Sequence, residues 1–325
     1  MSTTIHDIEA AAARIAPYAI RTPLLTSEAL AMATGASAVL LKPEMLQVCG
    51  AFKFRGAMNR LARLTPQQLK TGVVAFSSGN HAQGVAIAAA RLGCPAVIVI
   101  PKDAPRIKIE ATRAAGAEIR LFDRYTESRE EISAALAAER GAVVVPAFDD
   151  ADVIAGQGTL ALEMADQANA MGGPLDLLLC PVGGGGLIAG VSVAIKARSP
   201  ETRIFGVEPD GFDDTRRSLE AGERLTNDPG AKTLCDSLMT PSPGILTFAI
   251  MQQTLSGVVS VSDAEVKAAM RFAFERLKLV VEPGGSVALA AALAGKIDLK
   301  DKRVGLILSG GNVDPEQFAN ILLEG

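Results

Sequence analysis

Apolar residues in this chain fall into short continuous runs separated by longer stretches at helical spacing. Ile5, Ile8, Ala12 and Ile15 lie on one face of an opening helix that Pro17 ends. Thr26 and Ser27 can cap a short helix through Met32, which stops at Gly35. Runs at 39–42, 73–76, 95–100, 118–122 and 142–145 read as strands, and those at 177–180, 204–207 and 304–308 as a second series. Helices are predicted over 58–64, over 80–92 with Gly93 closing it, and from Pro105 to Gly116. Further helices are predicted after Asp152 (with Leu160, Leu162, Met164 and Ala168 as its apolar members), from the glycines at 183–186 to Arg198, and from Ala264 and Ser286. The run Pro95-Ala96-Val97-Ile98-Val99-Ile100 is apolar nearly throughout, as a strand covered on both faces requires. This β-α-β-α succession predicts an α/β fold with mostly parallel sheets and right-handed crossovers, and residues 227–244 are its most loop-rich part.

Composition narrows the function classes. The 325 residues are 49% hydrophobic but only 4% aromatic, without tryptophan, so Ala, Val, Leu and Ile must fill the core. A net charge of -4 leaves no basic footprint, which argues against nucleic-acid and acidic-membrane partners. Cys49, Cys94, Cys180 and Cys235 are far apart and form no CxxC pair, fitting a reducing compartment. The N-terminus lacks a basic region followed by an apolar run, and no uninterrupted stretch is long enough for a membrane span. The expectation is a soluble cytoplasmic protein.

Two stretches carry candidate chemistry. Lys53 sits between Phe52 and Phe54 with Gly50 and Gly56 nearby, at a strand-to-helix turn. An apolar collar disfavours the ammonium form and makes the amine a better nucleophile toward a carbonyl. Gly183, Gly184, Gly185 and Gly186 join a strand to a helix, where backbone N–H groups can hold a phosphate. The same loop satisfies GxGxxA through Ala189, and Glu208 ends the next strand, so an NAD-dependent dehydrogenase is a rival reading. Lys53 would have no role in such an enzyme, and the loop follows a complete earlier α/β unit.

The run Lys42-Pro43-Glu44-Met45-Leu46-Gln47-Val48-Cys49-Gly50-Ala51-Phe52-Lys53-Phe54-Arg55-Gly56-Ala57 is followed in order by Ser77-Ser78-Gly79-Asn80-His81 and Ser309-Gly310-Gly311-Asn312-Val313-Asp314. Together they resemble the fold-type II pyridoxal 5'-phosphate (PLP) enzymes, most of all the serine/threonine dehydratase and serine racemase branch, from about Thr22 to Asp314. The resemblance implies a tryptophan synthase β-like fold, with a large PLP-binding domain at 1–64 and 149–325 and a small inserted domain at 65–148. It implies that Lys53 forms the Schiff base and acts as general base, that Gly183 to Gly186 with Leu187 bind the phosphate, and that Asn80 donates to the 3-oxygen. Phe52 would lie against the ring and Ser309 would meet its nitrogen. A hydroxyl there leaves the ring unprotonated and favours prompt loss of a β-hydroxyl over prolonged carbanion chemistry. Ser77, Asn80 and His81 would form a donor cluster for the substrate carboxylate.

The implied activity is that of an ammonia-lyase converting L-serine, L-threonine or a related 3-hydroxy amino acid to a 2-oxo acid and ammonia. A serine racemase with side elimination and a 3-hydroxyaspartate dehydratase are the alternatives. Ser78 bears on that choice, because threonine dehydratases of the branch commonly have alanine there, whereas racemases and hydroxyaspartate dehydratases have serine. The stretch 146–150 looks more like the dehydratase version, and Ala51 departs from the commoner serine. Glu208, Phe212 (through its carbonyl) and Asp214 resemble the branch's site for Mg²⁺, Ca²⁺ or Mn²⁺. A homodimer is implied by resemblance alone.

Overall fold

The computed structural model describes residues 3–77, 79–104, 106–123 and 125–324, apart from the side chains of Ile107 and Lys108. Ser78, and the helix start expected at Pro105, lie outside the described residues. The strands in chain order are β1 (Leu25–Thr26), β2 (Ala38–Pro43), β3 (Val73–Phe76), β4 (Ala96–Pro101), β5 (Glu118–Phe122), β6 (Val143–Val144), β7 (Leu177–Pro181), β8 (Arg203–Pro209), β9 (Gly257–Val261) and β10 (Arg303–Leu308). They form two sheets, a larger one ordered β1-β2-β10-β7-β8-β9 and a smaller one ordered β5-β4-β3-β6. Every pairing is parallel except β1 with β2. The α/β expectation is met, and the apolar runs at 177–180 and 304–308 are the central strands it required.

The larger sheet is buried on both faces. One face packs on the helices Glu28–Thr34, Asp263–Phe272 and Pro283–Leu293, through Leu30, Val266, Met270, Val287 and Leu289. The other packs on Ile5–Ile15, Ala151–Ala170 and Gly186–Arg198, through Ile8, Leu160, Met164, Ile188 and Val191. Thr4 and Asp7 close a capping box at the start of the first helix, satisfying N–H groups the helix itself leaves unpaired. Gly158 and Gly190 let the latter two helices approach closely, since a Cβ on Gly190 would lie 2.2 Å from the Ile154 carbonyl oxygen.

Some elements give little signal in sequence. The helices Pro66–Thr71, Asp214–Ala221 and Pro315–Leu323 are short, and the helix Arg129–Arg140 lies outside the predicted elements as well. The helix expected from Ser286 starts earlier, at Pro283. Its two glycines, normally a helix-breaking signal, are required by close neighbours: a Cβ on Gly284 would lie 2.2 Å from Ser237 Oγ and one on Gly285 2.4 Å from the Gly310 carbonyl. Lys53 opens the helix Lys53–Leu61, five residues before the predicted 58–64.

Candidate active site

In parallel sheets, ligand sites form beyond the carboxyl ends of strands, where loops from neighbouring strands converge. Here β2, β10 and β7 are adjacent, and the segments that follow them carry Lys53, Ser309 and the glycines at 183–186. The lysine segment is joined directly to the Ser309 segment. Phe52 N donates to the Ser309 carbonyl at 3.1 Å, Gly311 N to the Gly50 carbonyl at 2.9 Å, and Ala51 forms an antiparallel bridge with Gly310. Small residues are needed at this seam, because Gly310 would bring a Cβ within 2.5 Å of Glu282 Oε1.

Lys53 Nζ donates to the Ala147 carbonyl at 2.8 Å and lies 5.2 Å from the Phe52 ring centroid. Burial pushes its pKa down to about 8, against the opposing pull of the Glu282 carboxylate. Phe54 points instead into the core around β3 and β4, so only one of the two flanking aromatics faces the amine. The buried Cys49 thiol, pushed up to about 12 by burial, remains protonated beside it.

Behind the lysine, the helix is fixed by a buried ionic network. Arg55 binds Glu44 through Nε at 2.8 Å and Nη2 at 2.9 Å and Glu163 through Nη1 at 2.7 Å. Lys42 binds Glu163 at 2.7 Å. Gln157 Oε1 accepts Gly56 N at 3.0 Å. None of these partners was evident from sequence.

Asn80 begins the helix Asn80–Arg91 after β3 and is held at both ends of its amide. Its Nδ2 donates to Glu282 Oε1 at 2.6 Å, and its Oδ1 accepts from Asn312 Nδ2 at 2.8 Å. Asn312 also donates to the Cys49 carbonyl at 2.7 Å. One Nδ2 hydrogen of Asn80 therefore stays available. Ser77 Oγ accepts Gly79 N at 3.1 Å, leaving its hydroxyl hydrogen to donate.

His81 differs from the donor expected. Its Nε2 lies 3.0 Å from the Val145 carbonyl, which can only accept, so Nε2 carries the hydrogen. Its Nδ1 is a buried acceptor with no partner among the described residues. Burial, reinforced by the Lys53 charge, pushes the imidazole down to about 3. A neutral ring in this tautomer has only a lone pair left at Nδ1, and a lone pair does not bind a carboxylate.

Gly185 adopts φ +90° and caps the helix Gly186–Arg198. Each glycine has its own steric reason. A Cβ would meet Leu238 Cα at 3.2 Å from Gly183, the Phe148 ring at 2.5 Å from Gly184, Met251 Cε at 2.8 Å from Gly185 and Phe148 Cα at 2.9 Å from Gly186. Four glycines are thus explained by packing, and the anion argument rests on the helix N-terminus they open. Leu187, the second residue of that helix, is buried in the core beneath it.

At the end of β8, both Glu208 oxygens accept backbone N–H groups, from Thr215 and Arg216, each at 3.0 Å. Asp214 Oδ1 accepts from Asn227 at 2.5 Å, while its buried Oδ2 has no partner among the described residues. Burial and then the Asp214 charge push Glu208 up to about 8, and burial pushes Asp214 up to about 6. Phe212 lies between them and its N–H is taken by Pro209 at 3.0 Å. Among the described residues no group of three or more His, Cys, Asp or Glu could hold a metal, so a cation here would need carbonyl and water ligands as well.

The family described as "Pyridoxal-phosphate dependent enzyme" matches residues 15–310. The chain is 46% identical over 320 residues to an L-threo-3-hydroxyaspartate ammonia-lyase of Pseudomonas sp, covering 98% of each. It is 41% identical to a serine racemase of Schizosaccharomyces pombe, covering 98% of this chain and 97% of the relative. In structure it is similar to maize serine racemase with a TM-score of 0.93 at 38% identity, covering 100% of this chain and 98% of that one. A buried lysine joined to the Ser309 segment, a glycine loop opening a helix and these likenesses agree: the chain belongs to the pyridoxal-phosphate dependent enzyme family.

Proposed function

We propose that this protein is a PLP-dependent ammonia-lyase that eliminates the β-hydroxyl of a 3-hydroxy amino acid as water, the resulting enamine then taking up water and releasing ammonia to leave a 2-oxo acid. The observation that carries the reading is Lys53, a buried amine with its pKa lowered to about 8 and seated at the seam with Ser309. The residues fit the cofactor. Lys53 supplies the amine for its aldehyde, and the N-terminus of the helix Gly186–Arg198, with Leu187, suits its phosphate. Phe52 offers a ring face, Ser309 a hydroxyl for the pyridine nitrogen, and Asn80 its unspent Nδ2 hydrogen for the 3-oxygen. When bound, PLP withdraws electrons from the substrate Cα and so acidifies its hydrogen.

Each remaining role belongs to the chain. With PLP bound, Lys53 would serve as the general base that takes the substrate Cα proton. Ser77 and Asn80 donate to the substrate carboxylate, and His81 Nδ1 accepts from a substrate N–H or O–H. Ser78, which we propose as a second proton donor, would govern any inversion. Glu208, the Phe212 carbonyl and Asp214 form the proposed Mg²⁺ site, for which the partnerless Asp214 Oδ2 is the support. It would brace the loop behind the active site. We also propose residues 65–148 as a smaller inserted unit, a homodimeric assembly and a cytoplasmic location; among the described residues no helix is long and apolar enough to cross a membrane.

Within the class, 3-hydroxyaspartate is favoured as substrate by the likeness to L-threo-3-hydroxyaspartate ammonia-lyases, at 46% identity in Pseudomonas sp and 45% in Saccharomyces cerevisiae.

The test is release of 2-oxo acid and ammonia from L- and D-serine, threonine and 3-hydroxyaspartate, with a chiral analysis of the remaining amino acid in deuterated water. Turnover by the wild type and none by Lys53→Ala is the expected result; turnover that survives Lys53→Ala removes the reading. Ser78→Ala should spare elimination and abolish inversion, and kcat/KM should be higher for 3-hydroxyaspartate than for serine or threonine.

A further inference from the structure

The glycine loop is clamped from outside. The Gly184 carbonyl accepts two hydrogen bonds, from Thr247 Oγ1 at 2.7 Å and from Gly244 N at 3.2 Å. In a planar trans peptide the C=O and the following N–H point in opposite directions. Holding the Gly184 oxygen against the helix Ile245–Thr254 therefore turns the Gly185 N–H away from that helix, toward the other side of the loop. This peptide plane has glycine on both flanks, so nothing in its own side chains resists rotation.

The clamp is itself anchored. Thr247 is fully buried in the first turn of a helix whose own N-cap, Gly244, provides no side-chain bond. Asp149 caps it from a distant part of the chain, its carboxylate accepting Ile245 N at 2.9 Å, Leu246 N at 2.8 Å and Thr247 N at 3.2 Å. Gly244 has to be glycine, since a Cβ there would lie 2.3 Å from Asp149 Oδ1 and 2.8 Å from Thr247 Oγ1.

Asp149 also belongs to a strap that spans the site. Ala147 receives Lys53 Nζ, the Phe148 ring lies against Gly184, and Asp150 caps the helix Ala151–Ala170. One short segment thus sets the lysine at one end of the site and the glycine loop at the other.

We propose that Thr247, held by Asp149, is the positioning residue that aims the Gly185 amide and so turns the 183–187 loop into a cradle for a phosphate monoester. The inference rests on the PLP reading above and adds to it which residues outside the loop preset its geometry.

The test separates the phosphate from the ring by titrating the cofactor-stripped full chain with PLP and with pyridoxal, which lacks the phosphate, and following visible absorbance. Thr247→Val keeps the shape and removes the hydroxyl. It should weaken PLP binding by about tenfold, the worth of roughly one hydrogen bond, and leave pyridoxal binding within about twofold. Thr247→Ser should restore PLP binding, and Asp149→Ala should reproduce the Thr247→Val pattern. Wild-type PLP affinity in Thr247→Val, or equal losses for both ligands, overturns the proposal. Should Thr247→Val fail to fold, Asp149→Ala and Asp149→Asn are read by the same ratio. Uptake of neither ligand by the wild type would instead overturn the PLP reading itself, and the proposal with it.

Discussion

Arg55 and Glu44 form a two-bonded ion pair with both side chains fully buried, Nε to Oε2 at 2.8 Å and Nη2 to Oε1 at 2.9 Å. Burial works against the Glu44 charge, and the Arg55 guanidinium outweighs it, so the carboxyl is held below its usual range. Arg55→Met would leave Glu163 its bond to Lys42, but Glu44 only the Thr22 hydroxyl at 2.7 Å. A buried charge stripped of its partner costs about 3–5 kcal/mol. Urea unfolding should show a loss of that size; a loss below about 1 kcal/mol, the size expected of a surface pair, would contradict it.

The lowered Lys53 pKa carries a pH signature. At pH 8 about half of this amine is free, against under about 1% for an ordinary lysine. The rate at which the stripped protein takes up PLP should climb through about pH 8 and level off above it. A climb continuing past pH 10 would place the amine in water. The sign for stability follows too. Between about pH 8 and 10.5 the unfolded chain holds the proton that the fold has shed, so this group's penalty on folding is full below that window and relieved as pH rises through it.

Gly184→Ala forces a Cβ to within 2.5 Å of the Phe148 ring. The side chain of Phe148 would have to leave, carrying the strap that bears Ala147 and Asp149 with it. PLP uptake should be lost, and Phe148→Ala in the same chain should recover part of it. Failure of the second change to help would place the damage in the glycine backbone instead.

If a cation sits at the end of β8, Mg²⁺ should raise the melting temperature of the wild type, because ligand binding to the folded state adds stability. Asp214→Asn and Glu208→Gln should remove that increment. An identical Mg²⁺ response in all three proteins would show that the ion binds elsewhere.

What the sequence determined by itself was local. The apolar runs gave β2, β3, β4, β7, β8 and β10, because a strand covered on both faces is nearly continuous in apolar residues, and the edge strands β5, with Glu118 and Arg120 exposed, and β6 left shorter apolar stretches. Lys53 and Gly183 to Gly186 stood out because their peculiarity lies within a few neighbouring residues, and the ordered motifs were sufficient to identify the family. Only the tertiary structure decided the partners. Asn80 meets Glu282 across 202 positions and Asn312 across 232, Thr247 reaches Gly184 across 63, and Asp149 caps a helix 96 positions away. The donor expected of His81 became an acceptor because the Val145 carbonyl takes its one hydrogen. The glycines proved to answer Phe148, Leu238 and Met251. Hydrogen bonds and steric contacts depend on separation in space, and folding brings together residues whose positions along the chain give no sign that they will meet.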